Sequence, residues 1–300
     1  MISFMNMLYH KFPILVLLFF PLFLWAEGLP KEKRPSTLFF QVDGGKIAYT
    51  QIGSGKKNFI LLPGIGDRKE SYAELANLLA RDGNVYSFDL RGLGESDVQF
   101  NSYGPKETAL DVLAFIRKKN LNDVYVIANS MTAASAVYIQ SKERKRVLGL
   151  VLSGPFVREK EPLSFGLKAL LHLSFRGPWG PSAWAAFYES LFPIQPPKDI
   201  EDRKKELKTN LKEEGRMAAI RSMLFASKKE CEVELNEAKG NHIIVMGLKD
   251  PDFSSPEEEA NWIRSTIGGQ VFLYENGGHY PFVEEPNRFY QDIQSLWQKK

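Results

Sequence analysis

The sequence predicts an α/β domain with a mostly parallel central sheet flanked by helices, and three observations predict it. From Leu38 onward, short β-rich runs alternate with helical patterns, the signature of strand–helix–strand units. Between about residues 157 and 238 the rhythm breaks and then resumes at His242, so the intervening stretch reads as an insertion into one scaffold. With 44% apolar residues in a chain of 300, there is enough apolar surface for a full core.

Leu38 to Val42 and Lys46 to Gln51 flank Asp43-Gly44-Gly45 and read as an opening hairpin. Asn58 to Leu62 is the next strand. Ser71 to Arg81 follows as a helix with apolar residues at Tyr72, Leu75, Leu78 and Leu79, and Asn84 to Phe88 as a strand. Lys106 to Lys118 continues as a helix, Val124 to Ala128 as a strand, Met131 to Gln140 as a helix and Val147 to Leu152 as a strand. The insertion is expected to be helical, with an amphipathic stretch around Leu167 to Phe175, turns at Gly177-Pro178 and Gly180-Pro181, and a solvated, mixed-charge helix from Glu201 to Glu214. The scaffold then resumes with a strand at His242 to Met246, a helix from Pro256 to Thr266, a strand at Val271 to Tyr274 and a last helix from Asn287 to Gln298.

Ahead of this scaffold, residues 12–26 carry no charge and stop at Glu27. So short an apolar run suits the hydrophobic region of a signal peptide better than a membrane span, which needs roughly 20 residues. The expectation is an exported protein, periplasmic or secreted, cleaved after Ala26. A retained anchor facing outward is the alternative, because Leu24 is large for the −3 position and Lys11 is the one charge before the run. A buried N-terminal helix fits less well, since Pro13 and Pro21 interrupt it and no face is polar. The expected organisation is therefore 1–26 as signal peptide or anchor, 27–156 and 239–300 as the two parts of the core, and 157–238 as a helical lid.

Lys plus Arg total 39 against 36 acidic residues, a formal charge of +3, too small to imply a polyanionic partner. No basic stripe interleaved with aromatics points to nucleic acid. Cys231 is the single cysteine, so an intramolecular disulfide and a multi-thiolate zinc site are excluded.

Ser130 lies where the β-rich run Val124 to Ala128 passes abruptly into the small residues Ala133, Ala134, Ser135 and Ala136. A sharp strand-to-helix turn of this kind lifts a serine hydroxyl above the sheet and aims a helix N-terminus at it. Read alone, the serine serves equally as a helix N-cap. Three further stretches bear on it: Leu61-Leu62-Pro63-Gly64-Ile65-Gly66 at a strand end, Asp89-Leu90-Arg91-Gly92-Leu93-Gly94-Glu95-Ser96 after the next strand, and Gly277-Gly278-His279 through Glu284-Glu285-Pro286 after the last.

Taken together, these motifs resemble the α/β-hydrolase superfamily over almost the whole chain after the leader. The family's Gly-x-Ser-x-Gly elbow appears here as Ala128-Asn129-Ser130-Met131-Thr132, with both glycines replaced, and Pro63 stands where the family commonly has histidine. The resemblance implies Ser130 as nucleophile, His279 as general base and Asp250, in Gly247-Leu248-Lys249-Asp250, as the orienting carboxylate. It also implies the backbone N–H groups of Ile65 and Met131 as the oxyanion hole. Asp252 is the near alternative to Asp250, which could otherwise simply start the turn before Pro251. Asp89 and Arg91 read as loop-fixing charges. Of the other histidines, His10 lies in the leader, His172 in the insertion and His242 at the start of a buried strand.

The implied chemistry is attack of Ser130 on an acyl carbon, assisted by His279, with water releasing the acyl group and no metal or organic cofactor required. An aromatic-rich lid containing Trp179, Trp184, Phe187, Tyr188, Leu191 and Phe192 suggests a small-molecule substrate, an apolar ester. Two other readings stay open. Asn129-Ser130-Met131 is similar to the triplet of family members that hydrolyse carbon–carbon bonds, and the Ala128 and Thr132 replacements suit a non-catalytic homologue acting as a binding module.

Overall fold

A computed structural model describes residues 34–159 and 164–298; the expected leader, residues 1–26, lies outside them. Eight strands form one sheet: β1 (Leu38–Val42), β2 (Gly45–Ile52), β3 (Lys57–Leu62), β4 (Gly83–Phe88), β5 (Val124–Asn129), β6 (Val147–Ser153), β7 (Ile243–Gly247) and β8 (Gln270–Tyr274). Their order across the sheet is β1-β2-β4-β3-β5-β6-β7-β8. β1 and β2 pair antiparallel, as do β2 and β4, and every other pairing is parallel.

Side-chain alternation explains why the sheet is covered on both faces. Phe59, Leu61, Tyr125, Ile127, Val151, Ile243 and Val245 enter one core, while Ile60, Leu62, Val126, Ala128, Leu152, Ile244 and Met246 enter the other. Successive residues of a strand point oppositely, so a run buried on both sides must be apolar, as residues 59–62 of β3, 124–128 of β5 and 243–247 of β7 are. The first core is completed by α1 (Ala73–Leu79) and α11 (Pro286–Ile293), the second by α2 (Pro105–Lys118), α3 (Thr132–Lys142) and α9 (Pro256–Ile267). The short α10 (Pro281–Glu284) follows β8.

Among the described residues, five helices lie between β6 and β7: α4 (Phe165–Ser174), α5 (Gly180–Ser190), α6 (Ile200–Leu211), α7 (Arg216–Leu224) and the single turn α8 (Lys229–Glu232). Cys231 is fully buried there, and burial pushes its thiol up to about 12.

Two expected helices differ. The span from Ser71 to Arg81 opens as a 3-10 turn, Lys69–Tyr72, before α1, because Tyr72 turns inward. Its hydroxyl donates to Leu62 O at 3.0 Å, and its ring stacks on Phe282 at 4.2 Å. The last helix stops at Ile293 and tightens into a 3-10 turn, Gln294–Leu296. That turn lets Trp297 Nε1 donate to Asp82 Oδ2 at 3.0 Å.

The sheet order places a crevice. β3 has β4 on one side and β5 on the other, so the chain reverses its direction of winding between them. Loops leaving the carboxyl ends of such strands diverge and open a cleft. The loops after β3 and β5 carry Ile65 and Ser130.

Candidate active site

Ser130 occupies the left-handed region at φ 62, a conformation costing a residue with a side chain roughly 1–2 kcal/mol. The surroundings hold it there. Its N–H donates to Ser153 O at 3.0 Å, and its carbonyl accepts from Phe156 N at 3.1 Å. Gly64 leaves room for the elbow, because a Cβ there would stand tightly, 3.1 Å from Ser130 Cβ and 3.0 Å from Asn129 Oδ1. The helix begins beyond the serine, with Met131 at the N-cap position and no side-chain cap, so Ser130 is not a capping residue.

The replaced elbow glycines are accommodated. Ala128 is fully buried in the second core. Thr132 is also fully buried, its Oγ1 lying 2.8 Å from Asn129 O and 3.0 Å from Leu62 O. That hydroxyl ties the elbow to the end of β3, the strand that feeds the Ile65 loop. Among the described residues, neither the Ile65 nor the Met131 N–H is engaged by a backbone or side-chain acceptor. Two free donors beside a serine are what a developing oxyanion requires.

His279 and Asp250 are brought together. His279 Nδ1 lies 2.6 Å from Asp250 Oδ2, and both side chains are almost wholly buried. Burial alone would favour the neutral ring, but the adjacent Asp250 carboxylate outweighs it and raises the His279 pKa above the ordinary imidazole range. The other oxygen of Asp250 accepts from Asp252 N at 3.0 Å. Asp252 thus contributes its backbone to fixing the carboxylate, and Asp250 is the residue that meets the ring. Asp250, Asp252 and His279 could converge on a cation, yet both Asp250 oxygens already have partners.

Serine and histidine are joined through Asn129, whose amide nitrogen donates to Ser153 O at 3.1 Å and to His279 O at 3.0 Å. Among the described residues, no hydrogen bond links Ser130 Oγ to the imidazole; such bonds are commonly long before substrate arrives. The Asn129 bridge was invisible in the sequence, because nothing local distinguishes a buried amide that reaches two distant carbonyls.

The histidine loop has a brace of its own. Glu284 accepts from Gly278 N at 2.9 Å, which is the physical content of the Gly278-His279 to Glu284 spacing. Burial, reinforced by the Asp250 charge, pushes the Glu284 carboxyl up to about 7, against the pull of the Gly278 hydrogen bond. Asp67, two residues past Ile65, is likewise pushed up to about 6 by burial. It accepts from Arg68 N at 2.8 Å and from the Ser71 hydroxyl.

The helices between β6 and β7 close over these loops. Gly66 has φ 72, and a Cβ there would fall 2.2 Å from Trp184 Nε1, so α5 rests directly on the Ile65 loop. Leu191 O accepts from His279 N at 3.0 Å. Of the candidate lining residues, Trp184, Tyr188, Leu191 and Phe192 are buried, whereas Trp179 is 58% exposed.

Residues 59–292 match the sequence model described as the alpha/beta hydrolase family. The chain belongs to the alpha/beta hydrolase family. Solved alpha/beta hydrolases superpose on it over most of their length. An esterase from Exiguobacterium antarcticum is 22% identical with a TM-score of 0.73, covering 86% of this chain and 97% of that one. A thermophilic esterase from Thermogutta terrifontis is 20% identical at 0.70, covering 86% and 97%. A membrane phospholipase A described as a bacterial virulence factor is 25% identical at 0.70, covering 87% of this chain and 85% of that one. No curated protein sequence matches. Family and neighbours carry hydrolase chemistry.

Proposed function

We propose that the chain is a serine carboxylic-ester hydrolase that forms an acyl-enzyme on Ser130. The observation that carries the reading is the buried 2.6 Å contact between His279 Nδ1 and Asp250 Oδ2, set beside a serine held at φ 62. His279, oriented by Asp250, takes the serine proton through its other ring nitrogen as Oγ attacks the ester carbonyl. The N–H groups of Ile65 and Met131 hold the oxyanion. His279 then protonates the departing alcohol, and water, deprotonated by the same ring, releases the acid. A small-molecule ester with an apolar acyl or alcohol group suits the buried aromatic side chains of α5, and two esterases and a phospholipase A among the solved neighbours support that bond type.

Export, with 12–26 as the apolar part of a signal peptide, belongs to the same proposal; the unbroken apolar run supports it. Labelling with a fluorophosphonate and turnover of p-nitrophenyl esters test the chemistry, with Ser130→Ala as control. Labelling of the wild type alone is expected, and an unlabelled wild type would favour a binding module. Intact-mass measurement tests the leader, a chain starting near Glu27 being the expected species.

A further inference from the structure

α4 is apolar on the wrong side. Its Leu171, with Phe175 in the turn beyond, is buried against the first core, Phe175 meeting Trp184 edge-on at 5.0 Å. That inward stripe is what packing requires, and the outward face should then be polar. Instead Phe165 is 89% exposed, Leu173 59%, Trp179 58% and Leu170 40%. Lys168 and Arg176 are interleaved with them, and none of residues 162–188 is acidic. Among the described residues neither Lys168 nor Arg176 has an acidic partner, and Arg176 lies near enough to Arg221 for the two cations to repel. A cation-bearing, tryptophan-flanked apolar helix face with no countercharge has the chemistry of a surface that lies in a lipid headgroup layer.

A second observation comes from the other end of the chain. Arg34 donates to Glu206 of α6 at 2.6 and 3.1 Å, so the first described residue is fastened to this same group of helices. Ala26, the last residue of the apolar run, is eight residues earlier, so a run retained as an anchor, the alternative to cleavage, would hold these helices within about 30 Å of the bilayer.

We propose that the outward face of α4 and its following turn, formed by Phe165, Lys168, Leu170, Leu173, Arg176 and Trp179, docks on the surface of an anionic phospholipid bilayer. Docked in this way, α4 carries the lipid contact, and Phe175 in the turn beyond it packs on Trp184, the α5 side chain that stands against Gly66. The proposal concerns binding and does not need Ser130 to be a nucleophile.

The test uses the full chain and vesicles of phosphatidylcholine brominated on its acyl chains, with or without phosphatidylglycerol. Tryptophan quenching is compared between the wild type and Trp179→Phe. The expected result is a quenched component with the anionic vesicles that Trp179→Phe lacks, that Ser130→Ala retains, and that salt weakens. Lys168→Gln combined with Arg176→Gln should lower the ratio of docked to undocked protein about thirtyfold at low salt, two cations being removed from the headgroup layer. These side chains are exposed, so unchanged melting temperatures should accompany the loss. Equal quenching of wild type and Trp179→Phe would overturn the proposal, as would a Trp179 component that is the same with neutral vesicles. Concentration-dependent burial of Trp179 without lipid would overturn it too, in favour of a second copy of the chain.

Discussion

Two buried acid–base pairs stand at strand ends in this molecule, and they are built for opposite purposes. After β4, Asp89 accepts from Lys69 N and Nζ at 2.8 Å and from Glu95 N at 3.0 Å. Glu95 adds a second carboxylate, 2.5 Å from the Lys69 ammonium. After β7, Asp250 has one donor besides the ring it faces, and its partner His279 is an imidazole whose pKa the carboxylate raises. The first pair holds the tight loop in which Gly94, at φ 56, would drive a Cβ to 2.1 Å from Asp89 Cγ. The second has one bond to each carboxylate oxygen, from Asp252 N and from the His279 ring. A densely bonded network fixes shape, whereas a sparer one orients a single ring.

Substitutions can break this contrast. The largest effect is expected from Asp250→Asn, which keeps the shape but spoils the imidazole's tautomer. Ester turnover should fall by about 10⁴ with little change in melting, while Asp252→Asn stays within a fewfold. Lys69→Met should do the reverse: thermal unfolding should show a loss of about 3–5 kcal/mol from an uncompensated buried Asp89, the folded fraction keeping normal KM. Asn129→Ala removes the side-chain donor to His279 O and one of the two donors to Ser153 O, which keeps Ser130 N. It should cost about 1–3 kcal/mol of stability and lower kcat more than it raises KM.

The pH dependence sharpens the contrast further. In the proposed mechanism only neutral His279 takes the serine proton, and its pKa is raised, so kcat/KM should fall as pH drops through a value above the ordinary 6.5 of histidine. The smallest expected effect concerns Glu284, whose carboxyl is pushed up to about 7 in the fold. The folded state holds that proton more tightly than the unfolded chain, so the contribution is present at low pH and is lost as pH rises from about 4.5 towards 7. Glu284→Gln should flatten the decline in melting temperature over that window.

The scaffold was legible because it depends on local pattern. β3, β5 and β7 announce themselves by apolar runs at residues 59–62, 124–128 and 243–247, and the loop residues Asp89, Arg91, Gly92 and Gly94 through their resemblance to the family's loop. Arg91 indeed holds its loop, pairing with Asp111 through two bonds of 2.6 and 2.9 Å. His279 and Asp250 were expected through the family resemblance, and the structure brings their side chains together. Lys69, Asn129 and Asp67 were not, since each acts through partners far off in the chain and sits in a stretch that reads as ordinary turn or strand end. α4 misled in a different way. Its spacing predicts an inward stripe, which is present, but periodicity cannot show that Phe165, Leu170 and Leu173 on the remaining surface stay uncovered.

The buried thiol of Cys231 has a practical consequence. Shielded from solvent and held protonated far above neutral pH, it should ignore maleimides and iodoacetamides under mild conditions. A cysteine introduced at Trp179 or Leu173 would then be the one reactive thiol on the surface, so a spin label or fluorophore can be placed on α4 in the otherwise native sequence.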